Sequence, residues 1–340
     1  MDTSHSNDYP AVSVVMPVYN GARTLRQAVD SVLAQTFDNF ELIICNDASR
    51  DETPTVLNGI DDPRVRILHN LSNLGEGPTR DRAIEAACGT MLAVIDADDA
   101  WTPHRLETLL GKTKPSQDAM VFDDIVECHD TSDGMVPWRI LRGKRAFGGD
   151  GINAIDVPVE SFVCSKRLLI KPLLPTSWIK RHAIYHSGRP FGADTEFFLK
   201  LMARGLQLRF VPIPMYHYRI TPGSMTGYAN RCIMMRQVLE NAAIQFERAP
   251  SVQAALRQKI TAVAREEQYM PFVHKLKAMR LRDALHMARQ SPWFVPEFFR
   301  RLGGTLSYHA HRIRHGGRIR GIHTDASVKR RASGRRGVRK

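Results

Sequence analysis

The feature that most constrains this chain is a rhythm in its first hundred residues. Short apolar runs, Val12–Met16, Phe40–Cys45, Val65–Leu68 and Met91–Ile95, alternate with stretches of helical spacing. Thr24–Gln35 sets Leu25, Ala28, Val29, Val32 and Leu33 at helical intervals, and Pro54–Ile60 and Thr79–Cys88 are shorter candidates. Such alternation predicts an α/β fold with right-handed crossovers and a mostly parallel sheet. The loops that leave the runs are polar: Pro17–Gly21, Asn46–Thr53, Asn73–Gly75, and Asp96, Asp98 and Asp99. In a parallel sheet all four leave one edge, where open α/β sheets place their ligands. One polar loop of this kind is commonplace; four in register are hard to explain as solvated turns.

The acids after Met91–Ile95 carry the sharpest chemistry. Residues i and i+2 of a strand share a face, so Asp96 and Asp98 can act together. Neighbouring carboxylates repel unless a cation lies between them. Hard oxygen ligands suit Mg²⁺ or Mn²⁺, with a phosphate sharing the ion. Taken alone, a polar turn after a strand explains these letters equally well.

The pattern loosens after about residue 112. Pro103 suits the first turn of a helix capped by Thr102. Ala119–Val126 and Leu208–Val211 read as strands, Asp194–Arg204 as a helix, and residues 130–160 as a long loop region. Tyr228 to about Phe299 is helical in period, with breaks expected near Pro250, Pro271 and Pro292. The net charge of +13 is concentrated at the end: residues 311–340 hold eleven Lys or Arg against Asp325 alone, leaving +3 for the rest. That tail has too little apolar content to fold by itself. No apolar stretch is long enough to cross a bilayer, and the polar, acidic start lacks the pattern of a secretory signal. Five scattered cysteines without a C-x-x-C pair, three of them in apolar surroundings, suit a reducing cytoplasm.

At this point the sequence resembles the family 2 glycosyltransferases, which have the nucleotide-sugar-binding GT-A fold. The resemblance rests on Val12–Asn20, Asp47–Thr53, Asn73–Gly75, Arg80 and Asp96–Asp99, in family order and spacing. It extends to Gly192–Leu201 and Tyr216–Thr226, and covers roughly residues 12–225. With Ile170-Lys-Pro172, the chain looks most like the branch that builds bacterial exopolysaccharides of the succinoglycan type. The implied organisation is a polar arm (1–10), a GT-A domain (11–225, with a nucleotide-binding half to 110 and an acceptor half beyond), a helical extension (226–305) and a basic, disordered tail (306–340).

The resemblance implies roles. Asp47 would accept a hydrogen bond from the base, a uracil in many members, and Pro17 and Tyr19 would line its pocket. Asn20, Ser49 and Asn73 belong to the same nucleotide-sugar-binding set. Asp96 would hold the ribose or the metal, Asp98 would ligate Mg²⁺ or Mn²⁺, and Asp99 would support them. Arg80 would add positive charge near the phosphates; a surface helix charge is the plainer reading. Asp194 matches the catalytic base, although it can also be read as a helix cap. The family usually has Glu before this Asp, where this chain has Ala193, and Glu196 suits a solvated or supporting face. His217, in a late loop, is a weak third metal ligand, better read as a packing histidine. Asp123 and Asp124 border the acceptor site or lie on the surface.

The reading is an inverting, metal-dependent transferase that moves a sugar from a nucleotide diphosphate sugar to a saccharide or lipid-linked saccharide. The basic tail and the amphipathic segment 293–302 suit an anionic membrane surface on the inner face of the cytoplasmic membrane. Three rivals compete. A dehydrogenase would need a third glycine after Gly75-Glu-Gly77. A sugar-nucleotide nucleotidyltransferase would need a Gly-rich, basic loop after the first strand, which Pro17–Gly21 does not supply. A nucleic-acid-binding protein would use the tail, whose nearest aromatic is Tyr308.

Overall fold

Val12–Val18 is buried at every position because both of its faces are covered. Val14, Met16, Leu42 and Ile44 pack with Leu25, Ala28, Val29 and Val32. Val15, Ile43 and Cys45 turn the other way, toward Ala83 and Ile84. The computed structural model describes residues 9–301, except 115–117, 132–133, 142, 144–146, 149–152, 166–167 and 221–227.

The strand β1 (Val12–Val18) lies between β2 (Phe40–Asn46) and β4 (Met91–Val94), parallel to both, and β3 (Val65–His69) is parallel to β2. The helices α1 (Leu25–Leu33), α2 (Thr53–Asn58) and α3 (Glu76–Glu85) connect them. The sheet order is β3-β2-β1-β4-β9-β6-β10-β5. The chain therefore winds outward from β1 to β3 and then crosses back to β4, which makes the gap between β1 and β4 a topological switch point.

Beyond β4 the α/β sheet becomes mixed. β9 (Leu173–Pro175) runs antiparallel to β4 and to β6 (Ala119–Thr131). β10 (Gln207–Ile220) is parallel to β6 but antiparallel to β5 (Ala100–Trp101) and β8 (Ile155–Val157). The remaining helices are α4 (Arg105–Leu110), α5 (Val159–Cys164), α6 (Thr176–His182), α7 (Ala193–Ala203), α8 (Tyr228–Gln245), α9 (Pro250–Lys277) and α10 (Leu281–Gln290).

Several expectations change. Residues 130–160 are not simply a loop: β6 continues to Thr131 and pairs with β7 (Gly134–Leu141). Gly134, at φ 100°, supplies a backbone conformation that side chains disfavour. β10 is longer than Leu208–Val211 because register shifts around Pro214 let the strand pass a residue without a ladder N–H. His217 consequently lies in a strand, opposite Ala100, and not in a loop. Helix α4 begins two residues past Pro103, and Thr102 gives its N–H to Met215 instead of capping. Pro271 sits inside α9 without ending it; Tyr269 and Phe272 beside it are buried in a cluster with Ala284 and Phe294. The main core also continues across residue 226, since Val238 and Leu239 of α8 and Leu256 of α9 share a cluster with Phe197 and Leu201. The basic tail lies outside the described residues.

Asp123 and Asp124 are corrected too. Both are buried in β6, because their partners are inside: Asp123 faces Arg105, and Asp124 accepts the Gly143 N–H at 2.6 Å. Arg105 donates Nε and Nη2 to Asp123 and lies over the Trp101 ring at 4.6 Å. Both side chains are essentially inaccessible, 0% and 1% exposed. Asp123→Ala would strand a buried guanidinium and should cost about 3–5 kcal/mol, read by urea unfolding. Arg105→Met with Asp123→Leu should recover much of that loss.

Candidate active site

The carboxyl ends of β1 to β4 open onto a crevice floored by charge. Gly75 enters α3 at φ 89°, and Gly77 passes so close to residues 186–187 that a Cβ there would lie 2.8 Å from the Ser187 carbonyl oxygen. That close approach carries Arg80, one turn on, into the interior. Arg80 is 1% exposed, so it is not a surface helix charge. Its guanidinium pairs with Asp96 at 2.9 Å, and with Asp194 and Glu76.

Asp194 comes from the first turn of α7, whose N-cap is Gly192 at φ 84°. The Asp194 side chain makes no cap hydrogen bond; it points at Arg80 and at Lys171. The helix-cap alternative therefore does not hold. Lys171 is 3% exposed and sets its ammonium 2.5 Å from Asp96 Oδ2 and 3.4 Å from Asp194 Oδ2. Burial alone would raise the Asp194 carboxyl, but Arg80, Lys171 and His186 outweigh it and hold the group well below the usual carboxylate range. Burial likewise works against Lys171 and Arg80, and the carboxylates around them raise both.

The three acids of residues 96–99 divide. Asp96 belongs to the ion-pair group. Asp99 is buried and accepts the Tyr216 hydroxyl at 2.6 Å and the Arg219 N–H at 2.8 Å, which ties β10 to the end of β4. Asp98 is half-buried, and among the described residues no other residue reaches its carboxylate by hydrogen bond or ion pair. Burial first, and Asp96 second, push the Asp98 carboxyl up to about 6.

The other expected residues gather at the same edge. Asn20, at φ 51°, gives its N–H to Ser49 Oγ and accepts the Arg50 N–H, lacing the loops after β1 and β2 together. Tyr19 is exposed and Pro17 is buried within β1. Asn73 is exposed, with its amide 3.5 Å from the Asp47 carbonyl. Asp47 is 2% exposed and already accepts from Asn70, Leu74 and Gly75, so it clasps the loop after β3. Burial opposes ionisation of Asp47, but those hydrogen bonds prevail and lower its carboxyl.

Glu196 is buried and supporting, held by Ser187, Lys200 and Arg189. Burial lowers the His217 ring. Among the described residues no three His, Cys, Asp or Glu side chains converge as a metal cage. Sequence reasoning missed Lys171, His186 and Asp81. The sequence held a signal for the first: Lys171 interrupts the apolar stretch Leu168–Leu174, and a lysine there needs a buried partner. His186 lies between two carboxylates, 2.6 Å from Asp81 and 3.8 Å from Asp194.

The chain is similar to several known proteins. The family described as glycosyl transferase family 2 matches residues 13–171. The chain is 30% identical over 226 residues to EpsH of Bacillus subtilis (strain 168), covering 62% of this chain and 61% of that protein. It is 24% identical to the succinoglycan biosynthesis protein ExoO of Rhizobium meliloti (strain 1021), covering 84% and 82%. A 101-residue stretch is 38% identical to an Escherichia coli protein named UDP-Glc:alpha-D-GlcNAc-diphosphoundecaprenol beta-1,3-glucosyltransferase WfgD, covering 30% and 40%. The chain thus spans about three-fifths of the first of these relatives. Among solved structures, S. aureus TarS 1-349 with UDP-GlcNAc superposes at a TM-score of 0.58 and 16% identity, covering 83% of this chain and 91% of that one. The TarS complex with UDP gives 0.56 and 17%, covering 74% and 70%. Residues 13–171 are thus similar to glycosyl transferase family 2, and the fold is that of the TarS structures.

Proposed function

We propose that this protein is an inverting, metal-dependent glycosyltransferase that moves a sugar from a nucleotide diphosphate sugar, a UDP-sugar, to a hydroxyl of a saccharide or lipid-linked saccharide in exopolysaccharide synthesis. The observation that carries the reading is the meeting of Asp194 with Asp96, Arg80 and Lys171 at the switch-point edge of the sheet. The E. coli relative's name, with its UDP-sugar and its diphosphoundecaprenol-linked acceptor, supports the choice of substrates.

The acceptor oxygen attacks the anomeric carbon as the bond from that carbon to the diphosphate oxygen breaks. One displacement inverts the configuration, and the nucleoside diphosphate leaves with the bonding pair. Asp194 takes the hydroxyl proton. Its depressed carboxyl keeps it ionised at physiological pH. A weak base suffices because the hydroxyl grows acidic only as its new bond forms. Arg80 stands near the leaving group, its charge shared among Asp96, Asp194 and Glu76. Asn20, Ser49 and exposed Tyr19 border the nucleotide, with Pro17 behind them. Asp47 holds the Leu74–Gly75 backbone, and Oδ2, which accepts one N–H, keeps a lone pair for a ring N–H of the base.

The residues fit a divalent ion. Asp98 is a half-buried carboxylate beside Asp96 that forms no ion pair among the described residues, with Lys171 and Arg219 acting on it only from a distance. Mg²⁺ commonly takes one or two carboxylates and completes its shell with substrate phosphates and water. A bound Mg²⁺ or Mn²⁺ would neutralise the charge of the leaving diphosphate.

Asp98→Ala and Asp194→Asn should each reduce transfer by about 10²-fold or more, measured as UDP release over a panel of UDP-sugars. Metal-dependent UDP binding should fail only in the first. Normal turnover in Asp194→Asn would place the base elsewhere. Pyrophosphate release from a nucleoside triphosphate and a sugar phosphate would instead favour a nucleotidyltransferase.

A stability measurement checks the metal reading separately. Folding favours protonated Asp98, so ionising it costs stability; that cost is absent below 3.8 and complete above about 6. Without metal, Asp98→Asn should therefore raise Tm by a few degrees at neutral pH and leave it unchanged in acid. Mg²⁺ should stabilise only the parent protein.

Membrane docking through residues 293–340 belongs to the same proposal. No described helix is long and apolar enough to cross a membrane. Trp293, Val295 and Phe299 are exposed beside Arg300, as an interfacial segment requires. The full chain should pellet with anionic liposomes and lose that property without its tail; equal pelleting of both forms would refute docking.

A further inference from the structure

We propose that Lys171 is a positioning residue of the transfer step, its buried ammonium tying the base Asp194 to Asp96 on the donor side. The inference rests on the glycosyltransferase reading and adds a residue that reading does not need.

The placement follows from the sheet. β9 runs antiparallel to β4, with Leu173 opposite Ala93 and Leu174 opposite Leu92. Continuing that ladder sets Lys171 level with Ile95, next to Asp96. Its carbonyl accepts from Arg105, which the buried ion pair with Asp123 and the Trp101 ring hold in place. The lysine thus leaves a rigid backbone, with 3% of its side chain exposed.

The contacts close a ring. Asp96 accepts from Arg80 at Oδ1 and from Lys171 at Oδ2. Asp194 accepts from Arg80 at Oδ1 and from Lys171 at Oδ2. Charges alternate around all four members, so neither carboxylate can shift without breaking an ion pair. The two cations divide the work. Arg80 holds with a planar fork, while Lys171 is a point charge with three donors. Lys171 sits closer to Asp96, at 2.5 Å, than to Asp194, at 3.4 Å. The looser contact leaves Asp194 Oδ2 with lone-pair capacity for an incoming hydroxyl while limiting its swing. Because both carboxylates absorb the ammonium's charge, Lys171 acts through Asp194 instead of gripping the diphosphate.

The test compares Lys171→Met and Lys171→Arg with the parent full-length protein. Lys171→Met should lower kcat by about 10²-fold, the lower range for a displaced base. UDP affinity with Mg²⁺ should stay within about threefold of the parent (a tenfold change being 1.4 kcal/mol), and Lys171→Arg should recover part of kcat. A parallel loss of UDP affinity, or unchanged kcat in Lys171→Met, would overturn the proposal. Should Lys171→Met fail to fold, Lys171→Arg decides: a fall in kcat without a fall in UDP affinity supports the positioning role, and parent kinetics refute it. A double-variant cycle in Tm between Lys171→Met and Asp194→Asn is read without any substrate. Losses smaller than additive support the tie, and simple additivity refutes it. If the parent transfers no sugar while the cycle shows coupling, the transferase reading fails and the tie between Lys171 and Asp194 stands.

Discussion

Carboxylates cannot share a buried crevice unless cations separate them, and the site is organised around that constraint. Asp96 and Asp194 each place one oxygen on Arg80 and the other on Lys171. The cations are 1% and 3% exposed, so each needs the acids as much as the acids need it. The same field sorts the acids by role. Asp194, inside the ring, is held well down; Asp98, outside it, is pushed up to about 6 by burial and by Asp96. Neighbouring acids are therefore driven apart, one held ionised and the other raised, the usual way environments divide like groups.

The ring draws its members from distant parts of the chain. Arg80 lies in α3, Asp96 follows β4, Lys171 precedes β9, and Asp194 opens α7. Insertion of β9 between β4 and β6 joins the parallel half of the sheet to the mixed half. Two buried polar anchors stabilise the join. Arg105 links Asp123 of β6 to the carbonyl of Lys171, and Asp99 links the end of β4 to Tyr216 and Arg219 of β10. The first reaches the backbone of Lys171, and the second reaches the Asp96 N–H through the Tyr216 hydroxyl.

Much of the first half was legible because its signals are local. Buried parallel strands must be apolar throughout, so Val12–Val18, Phe40–Asn46 and Met91–Val94 stand out, and their order implies which edge the loops share. The second half was less legible for a physical reason. β8 is a three-residue strand that pairs with distant β10, and β7 forms a hairpin with β6 whose apolar and polar residues lack a clear local period. Pro271 was read as a breaker, but burial of Tyr269 and Phe272 outweighs one missing helix hydrogen bond. Asp123 and Asp124 could be read as acceptor-site or surface acids because their partners, Arg105 and the Gly143 N–H, are settled only by tertiary packing.

By itself, the sequence determined the fold class and the charge of the tail, and it brought Asp96, Asp98, Arg80 and Asp194 forward as candidates. These follow from periodicity, residue type and motif, which need no partner to be read. Tertiary structure alone decided what the charges do. It buried Arg80, set Asp194 in an ion-pair group, joined Asp47 to the loop after β3, and brought Lys171 to Asp96 through the β4–β9 register. Charge interactions fall away with distance and strengthen with burial, and neither quantity is written along the chain.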